Sequence, residues 1–307
     1  MNDIAQVEIC PARLRDAGPL AAFHEVAPPP PGGAETADPI YMTDLRARVL
    51  AVSGGEIVGT CRYLGAAGHC AVVPAPRLLE WDEALAARLV RAAAAHALRR
   101  HRARLIQAIA EPEGTSPLAA AIERAGFDRL AVLSYMRRPI RSEDKLLAPP
   151  AGLEWRPYSI FRHGLFARTI LRTYRDSLDC PKLAGLRPIN DTIAAHKHTG
   201  TFSSKTWRLA MAGGDPIGAV LVNENQGRGD LVYLGVAPEA RGRGIGRALI
   251  ERGIRDTAEM GLPQMGLAVD VTNTPAMRLY ERAGFHEVRR RLAYFIPAER
   301  LESLGKL

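Results

Sequence analysis

The chain has 307 residues, 47% apolar and 24% charged, with a formal net charge of +8 at pH 7. That is enough for two domains of about 150 residues, each burying its own core. The sequence contains no run of about 18 uncharged apolar residues, which argues against a membrane-spanning helix and a membrane partner.

Only five of the 41 basic residues are lysine. The arginines suit phosphates and carboxylates, but they are dispersed and aromatics are 6% of the chain. No recognition-helix, zinc-finger or RNP pattern accompanies them, so nucleic acid is not expected as a partner. The opening MNDIAQVEIC carries two acids and lacks the regions of a signal peptide, which predicts a cytoplasmic protein. Cys10, Cys61, Cys70 and Cys180 have no C-x-x-C spacing and read as reduced thiols. His196 and His198 form the only close histidine pair; without a third ligand they read as a solvated helix face, and no metal is expected.

The chain repeats itself. VEICPARLRDAGP from Val7 is echoed by LEWRPYSIFRHGL from Leu153, GGEIVGTCRYLGAAG from Gly54 by GGDPIGAVLVNENQG from Gly213, and PLAAAIERAGF ending at Phe127 by PAMRLYERAGF ending at Phe285. The order is conserved between copies, with offsets of 146, 159 and 158. Two copies of one fold follow, 1–140 and 153–307, joined by the charged and then Pro/Gly-rich stretch 141–152. The extra residues of the second copy fall around YRDSLDCPKLAGLRPINDTIAAHKHTG; the first copy has the turn-rich APPPPGGAETADP in that region.

In the second copy the pattern predicts a strand near 153–157 and helices over 161–175 and 188–198. WRLAMAGGDPIGAVLVNENQ reads as a hairpin around a Gly-Gly-Asp turn. The strand DLVYLGV precedes a helix carrying Ile245, Leu249 and Ile254 and stopping at Gly261. QMGLAVDV reads as a buried strand, and a short helix with Pro275 in its first turn ends before Gly284. Strands and helices in this order give an α/β layer fold.

Between the strand and the longer helix stands ARGRGIGR. A glycine-rich turn opening a helix exposes unpartnered N–H groups at the positive end of the helix dipole, and glycine lets an anion approach. Arg241, Arg243 and Arg247 add charge-assisted donors. Residues 241–247 therefore read as a pyrophosphate seat. The spacing Gly242-x-Gly244-x-Gly246 matches neither G-x-x-x-x-G-K-[ST] nor G-x-G-x-x-G.

Val236-Ala-Pro-Glu-Ala-Arg241-Gly-Arg-Gly244-Ile-Gly246 resembles the R/Q-x-x-G-x-G/A motif of the GNAT acetyltransferases, which follows a strand ending V-x-P. Asn273-Thr-Pro-Ala-Met-Arg-Leu-Tyr280-Glu-Arg-Ala-Gly-Phe285 resembles a second segment of that family. The resemblance covers 153–297 and, through the repeat, more weakly 7–140. It implies two tandem GNAT-like domains, each a mixed, mostly antiparallel twisted sheet flanked by helices, and acetyl-coenzyme A as the donor. It assigns the pyrophosphate to Arg241, Gly242, Arg243, Gly244, Gly246 and Arg247. The pantetheine goes to backbone groups of Leu234, Gly235 and Val236, where two strands splay, with the Val236 N–H polarising the thioester. Tyr280 is the implied general acid, and Asn273 caps its helix or bonds the coenzyme amide.

Asp230 lies six residues before Val236; period-two alternation puts both on one face, and the family carries a glutamate there in one branch, so Asp230 is the candidate base. Glu224 and Asp270 compete for that role. In the family the inserted segment covers the acceptor cleft, which directs attention to Tyr174, Asp176, Asp179 and Cys180. The first copy has Ile122 where the second has Tyr280, Thr115 where it has Asn273, and Glu80, Asp82 and Glu83 at the helix start. Those acids would repel a pyrophosphate. The first copy is therefore expected to be non-catalytic, supporting the second and walling its acceptor cleft.

These readings converge on an N-acetyltransferase acting on the primary amine of a small molecule by direct attack in a ternary complex, as a monomer or homodimer. Tandem copies with one intact member resemble a two-domain branch of the family whose acceptor is a small amine. A protein N-terminus or lysine as acceptor, and a non-catalytic acyl-coenzyme A-binding module, are the alternatives.

Overall fold

A computed structural model describes residues 7–31, 44–112, 116–147 and 152–305. Thr115, and the centre of the proline-rich stretch of the first copy, lie outside the described residues. The chain forms two compact units, Met1–Ala131 with Arg291–Leu307, and Val132–Arg290.

The elements of the first half are β1 (Glu8–Pro11), α1 (Ala17–Val26), β2 (Arg48–Ser53), β3 (Glu56–Arg62), β4 (Leu64–Ala66), β5 (Cys70–Val73), β6 (Arg77–Leu78), α2 (Glu83–His101), β7 (Leu105–Ala110), α3 (Pro117–Arg124) and β8 (Asp128–Pro139). Those of the second are β9 (Glu154–Pro157), α4 (His163–Thr173), α5 (Ile189–Lys197), β10 (Trp207–Ala212), β11 (Asp215–Asn225), β12 (Arg228–Val236), α6 (Ile245–Glu259), β13 (Gln264–Asp270), α7 (Thr274–Arg282), β14 (His286–Pro297) and α8 (Ala298–Ser303).

In the first unit β1, β2, β3 and β6 make an antiparallel sheet. β5 runs parallel to β7 through four consecutive pairs, Cys70↔Leu105 to Val73↔Ala108. Residues 292–297 of β14 complete the other side of β7. In the second unit the strand order is β8, β13, β12, β11, β10, β9, antiparallel except for β12–β13. Its β8 contribution is residues 133–139. Each unit thus takes one strand from the far half of the chain, and the division runs inside β8 and β14 instead of the composition shift at 141–152.

The sheet of the second unit buries both faces. Alternation along β11 sends Val220 and Val222 to one core with Leu249, Ile254 and Met265, and Ala219 and Leu221 to another with Phe166, Ile170 and Trp207. Full burial of each large apolar side chain contributes about 1.5–3 kcal/mol. Trp207 donates from Nε1 to Asn223 Oδ1 at 2.7 Å, and Asn223 Nδ2 donates to the carbonyls of His196 and Thr199, fastening the end of α5 to the sheet. α6 starts at Gly244, φ 79°, and ends before Gly261, φ 74°. α7 is capped by Asn273, whose side chain accepts from the Ala276 N–H at 3.3 Å.

Candidate active site

β12 and β13 pair only at Gly229↔Met265 and Asp230↔Gly266, and part beyond that point. On its other side β12 stays on β11 as far as Val236↔Gly218. The Ala237 N–H donates to Ile217 O at 2.9 Å, which fixes the hydrogen-bonding phase. Antiparallel partners alternate between bonded and non-bonded pairs, so Gly235 and Tyr233 spend their backbone groups on β11. Leu234 and Val236 turn theirs toward the gap. Gly235 serves differently from the expectation: its backbone is engaged, and a Cβ there would strike the Tyr233 hydroxyl and come within 2.6 Å of Thr173 Oγ1.

The register slips by one residue between Leu221↔Tyr233 and Val222↔Leu231, which leaves Val232 as a bulge. Period-two alternation therefore fails across it. Leu234 and Val236 pack toward α6, whereas Val232 and Tyr233 both pack toward α4. Asp230 consequently shares the face of Tyr233 and Gly235, not that of Val236. Its carboxylate accepts from Arg228 Nε at 2.8 Å and Asn225 Nδ2 at 2.6 Å. Glu224 sits at the β11–β12 turn, accepting from the Gly227 N–H at 2.9 Å.

The turn into α6 has Gly242 at φ 72° and Gly244 at φ 79°, both left-handed. A side chain at either would meet nothing within 4 Å, so backbone conformation and access, not crowding, require glycine here. Among the described residues the N–H groups of Gly242 to Arg247 have no acceptor; the first helical bond is Ala248 N–H to Gly244 O. The three arginines separate. Arg241 donates to the carbonyls of Thr173, Arg175, Asp176 and Val236 at 2.7–3.2 Å, and so caps the end of α4 instead of facing an anion. Arg247 pairs with Glu251 at 2.7 Å. Arg243 has no ionic partner among the described residues, and with Gly244, Arg247 and Glu251 it borders a groove of about 620 Å³.

The loop between α4 and α5 reaches the end of β13, the strand that leads into α7. Tyr280 is buried on α7, its ring 6.0 Å from Phe285, and burial with the nearby Asp179 charge pushes its phenol up. Asp179 has an exposed edge, accepts from the Asp270 N–H at 3.3 Å, and has a carboxyl raised by desolvation and by Asp270. The Asp270 carboxylate is turned away, accepting from Thr272 N at 2.9 Å and Thr272 Oγ1 at 2.8 Å. Tyr174 lies edge-on to Tyr233, centroids 5.6 Å apart, and burial pushes its phenol up to about 12. The Tyr233 hydroxyl bonds Thr173 Oγ1. Asp176 and Cys180 both have positive φ, 54° and 46°, so the loop is held in a strained shape. Burial pushes the Cys180 thiol up to about 12, leaving it protonated.

His196 is not on a solvated face as its spacing suggested. Its ring lies 5.6 Å from that of Tyr233, and Nε2 is buried. Thr173 and Tyr233 were not singled out by sequence; only the bulge reveals that Tyr233 joins Thr173 and His196. Among the described residues no group of three His, Cys, Asp or Glu is set to hold a metal, and no helix is long and apolar enough to cross a membrane.

β12 and β13 thus part beside a helix start whose N–H groups are unpartnered. Residues 171–285 match the acetyltransferase (GNAT) family. The chain is similar to a mycothiol acetyltransferase of Geodermatophilus obscurus, 29% identical over 260 residues, 75% of this chain and 76% of that one. A mycothiol acetyltransferase of Thermomonospora curvata is 30% identical over 187 residues, with 55% of this chain matching 57% of that one. Among solved structures, a GCN5-related N-acetyltransferase from Sphaerobacter thermophilus superposes with a TM-score of 0.59 at 19% identity, covering 97% of both chains. A tandem GNAT protein from the clavulanic acid biosynthesis pathway gives 0.52 at 19% identity, covering 95% of this chain and 98% of that one. The chain carries a GNAT domain and is an acyltransferase.

Proposed function

We propose that this chain transfers an acetyl group from acetyl-coenzyme A to the primary amine of a small molecule, by direct attack in a ternary complex. The observation that carries this reading is the row of unpartnered N–H groups from Gly242 to Arg247 beside the parted strands β12 and β13. Those groups, with Arg243, suit the donor's pyrophosphate. The inward backbone groups of Leu234 and Val236 suit its pantetheine arm, and the Val236 N–H would polarise the thioester oxygen. Asn273, its Oδ1 on the helix, keeps an amide nitrogen for the coenzyme.

The amine enters along Tyr174 and Asp179, whose carboxylate meets the ammonium. A water relay ending on Asp230, on the same face as Tyr233, carries one proton away. The amine nitrogen then attacks the thioester carbon, the C–S bond breaks, and Tyr280 gives its phenolic proton to the departing thiolate. The released proton restores Tyr280, leaving an amide and free coenzyme A. An amine of the kind that mycothiol acetyltransferases take is the first acceptor to assay. The first unit is proposed to bind no donor.

The test is release of free coenzyme A thiol from acetyl-coenzyme A across a panel of primary amines. Amine-dependent release with a 1:1 acetylated product is expected. No affinity for acetyl-coenzyme A, or an affinity undisturbed by changes at Gly244, would overturn the reading.

A further inference from the structure

His196 has no role in the steps above, yet it stands on the acceptor face. The last turn of α5 presents it, and Asn223 anchors that turn through the His196 carbonyl at 2.7 Å. Its ring leans on Tyr233, which contacts Tyr174 in turn, so His196 and Tyr174 flank one phenol. Nε2 is buried and bonds to nothing among the described residues. Among the described residues, the other orphaned buried nitrogens and oxygens of this unit are on Trp155, Ser159 and Arg252. A buried polar atom left unpaired costs free energy that a partner would recover.

Resting on the acetyl-transfer reading, we infer that His196 is a specificity-determining residue whose Nε2 hydrogen-bonds a hydroxyl of the acceptor, which is thus an amino alcohol or aminosugar. The chemistry of the ring selects the hydroxyl. Burial and the charge of Arg187 push the imidazole down to about 4, so it is neutral at pH 7. A neutral imidazole offers one donor and one acceptor nitrogen. No bond in the structure fixes which of them Nε2 is, and a hydroxyl can satisfy either. An ammonium can only donate, and Arg187 already disfavours a second cation here. The amine therefore goes to the Asp179 end and a neutral hydroxyl to the His196 end.

The experiment compares amines that differ by hydroxyls alone: D-glucosamine against cyclohexylamine, and 2-amino-1,3-propanediol against isopropylamine. In H196F, which keeps an aromatic ring on Tyr233, kcat/KM for each hydroxylated amine should fall about tenfold relative to its plain partner. Acetyl-coenzyme A affinity should not change, and H196Q, which restores a donor and an acceptor, should recover part of the preference. Should H196F not fold, His196→Leu, which also removes both ring nitrogens, carries the comparison, and the same tenfold relative loss is expected. Equal losses on both members of a pair, or no loss, would overturn the inference. So would a wild-type chain that binds acetyl-coenzyme A but acetylates only amines without hydroxyls. Failure to bind acetyl-coenzyme A at all would instead sink the reading it rests on.

Discussion

The backbone N–H of Asp270 donates to the carboxylate of Asp179 across 3.3 Å, tying the α4–α5 loop to the last residue of β13. The bond holds an exposed acid at the mouth of the gap and close enough to Tyr280 to raise its phenol. Asp179→Asn should therefore act twice. The KM for the amine should rise about tenfold or more, as a charge-assisted contact is lost. With the negative neighbour gone, Tyr280 should ionise at lower pH than in the wild type, moving the alkaline fall of kcat downward. Steady-state kinetics from pH 7 to 11 reads both, and an unchanged amine KM would remove Asp179 from the acceptor site.

Tyr280→Phe keeps the ring against Phe285 and deletes only the proton donor. General acid catalysis contributes about 10²–10⁴-fold, so kcat should drop by that order while acetyl-coenzyme A affinity stays within about twofold. Because burial and Asp179 raise this phenol, the wild-type rate should not fall from its ionisation below pH 10. A variant with wild-type kcat would return Tyr280 to a packing role.

The cradle and the α7 segment were legible because both depend on local chemistry: glycines that tolerate positive φ, a capping asparagine, and a helix start with unpaired amides. The predicted helices over 161–175 and 188–198 correspond to α4 and α5 within two residues, since their apolar spacing survives folding. The face of Asp230 was not legible. One extra residue at Val232 inverts the alternation, and no residue type marks it. Arg241 likewise reads as an anion ligand from its neighbours in sequence, but the carbonyls it caps belong to residues more than 60 positions away. Burial of His196 depends on Tyr233, which the same bulge turns toward α4.

The first unit differs from the second where a donor would sit. β5 and β7 stay paired to Val73, the end of β5, leaving no parted strands. The start of α2 is already occupied: Asp82 accepts from the Leu85 N–H at 2.7 Å, and Glu83 follows in the first turn. The residue at the place of Tyr280 is Ile122, buried in the core. Calorimetric titration with acetyl-coenzyme A should give one equivalent per chain. Two equivalents would show that the first unit binds donor without these features.

Gly235 and Gly244 separate two uses of glycine. Alanine at Gly244 meets no atom, so its cost is backbone strain of about 1–2 kcal/mol, together with a methyl group at the anion seat. Acetyl-coenzyme A affinity should weaken about tenfold with a modest fall in Tm. Alanine at Gly235 must displace Thr173 or Tyr233, since its Cβ would come within 2.6 Å of Thr173 Oγ1. The larger fall in Tm should therefore belong to Gly235→Ala, and thermal melts with and without acetyl-coenzyme A distinguish the pair. Equal melting temperatures would mean that α4 yields without cost.

His196 also makes a prediction about stability and pH. Its folded pKa is lowered to about 4 from 6.5, by burial first and by Arg187 second. Between those values the unfolded chain binds a proton that the folded chain does not, so stability falls as pH drops from 6.5 to 4 and levels off below. A shift of this size corresponds to about 2–3 kcal/mol, allowing for the partial exposure of the ring. Tyr233, which faces the ring, and Tyr174, on the far side of Tyr233, stay neutral throughout that window because burial raises both. His96 in the first unit is lowered as well and adds a slope of the same sign, so the informative quantity is the difference between wild type and H196F. The variant should lose less stability than the wild type between pH 7 and 4.5 in urea unfolding followed by circular dichroism. Parallel curves would mean that the imidazole is protonated in the folded chain, and that solvent reaches Nε2.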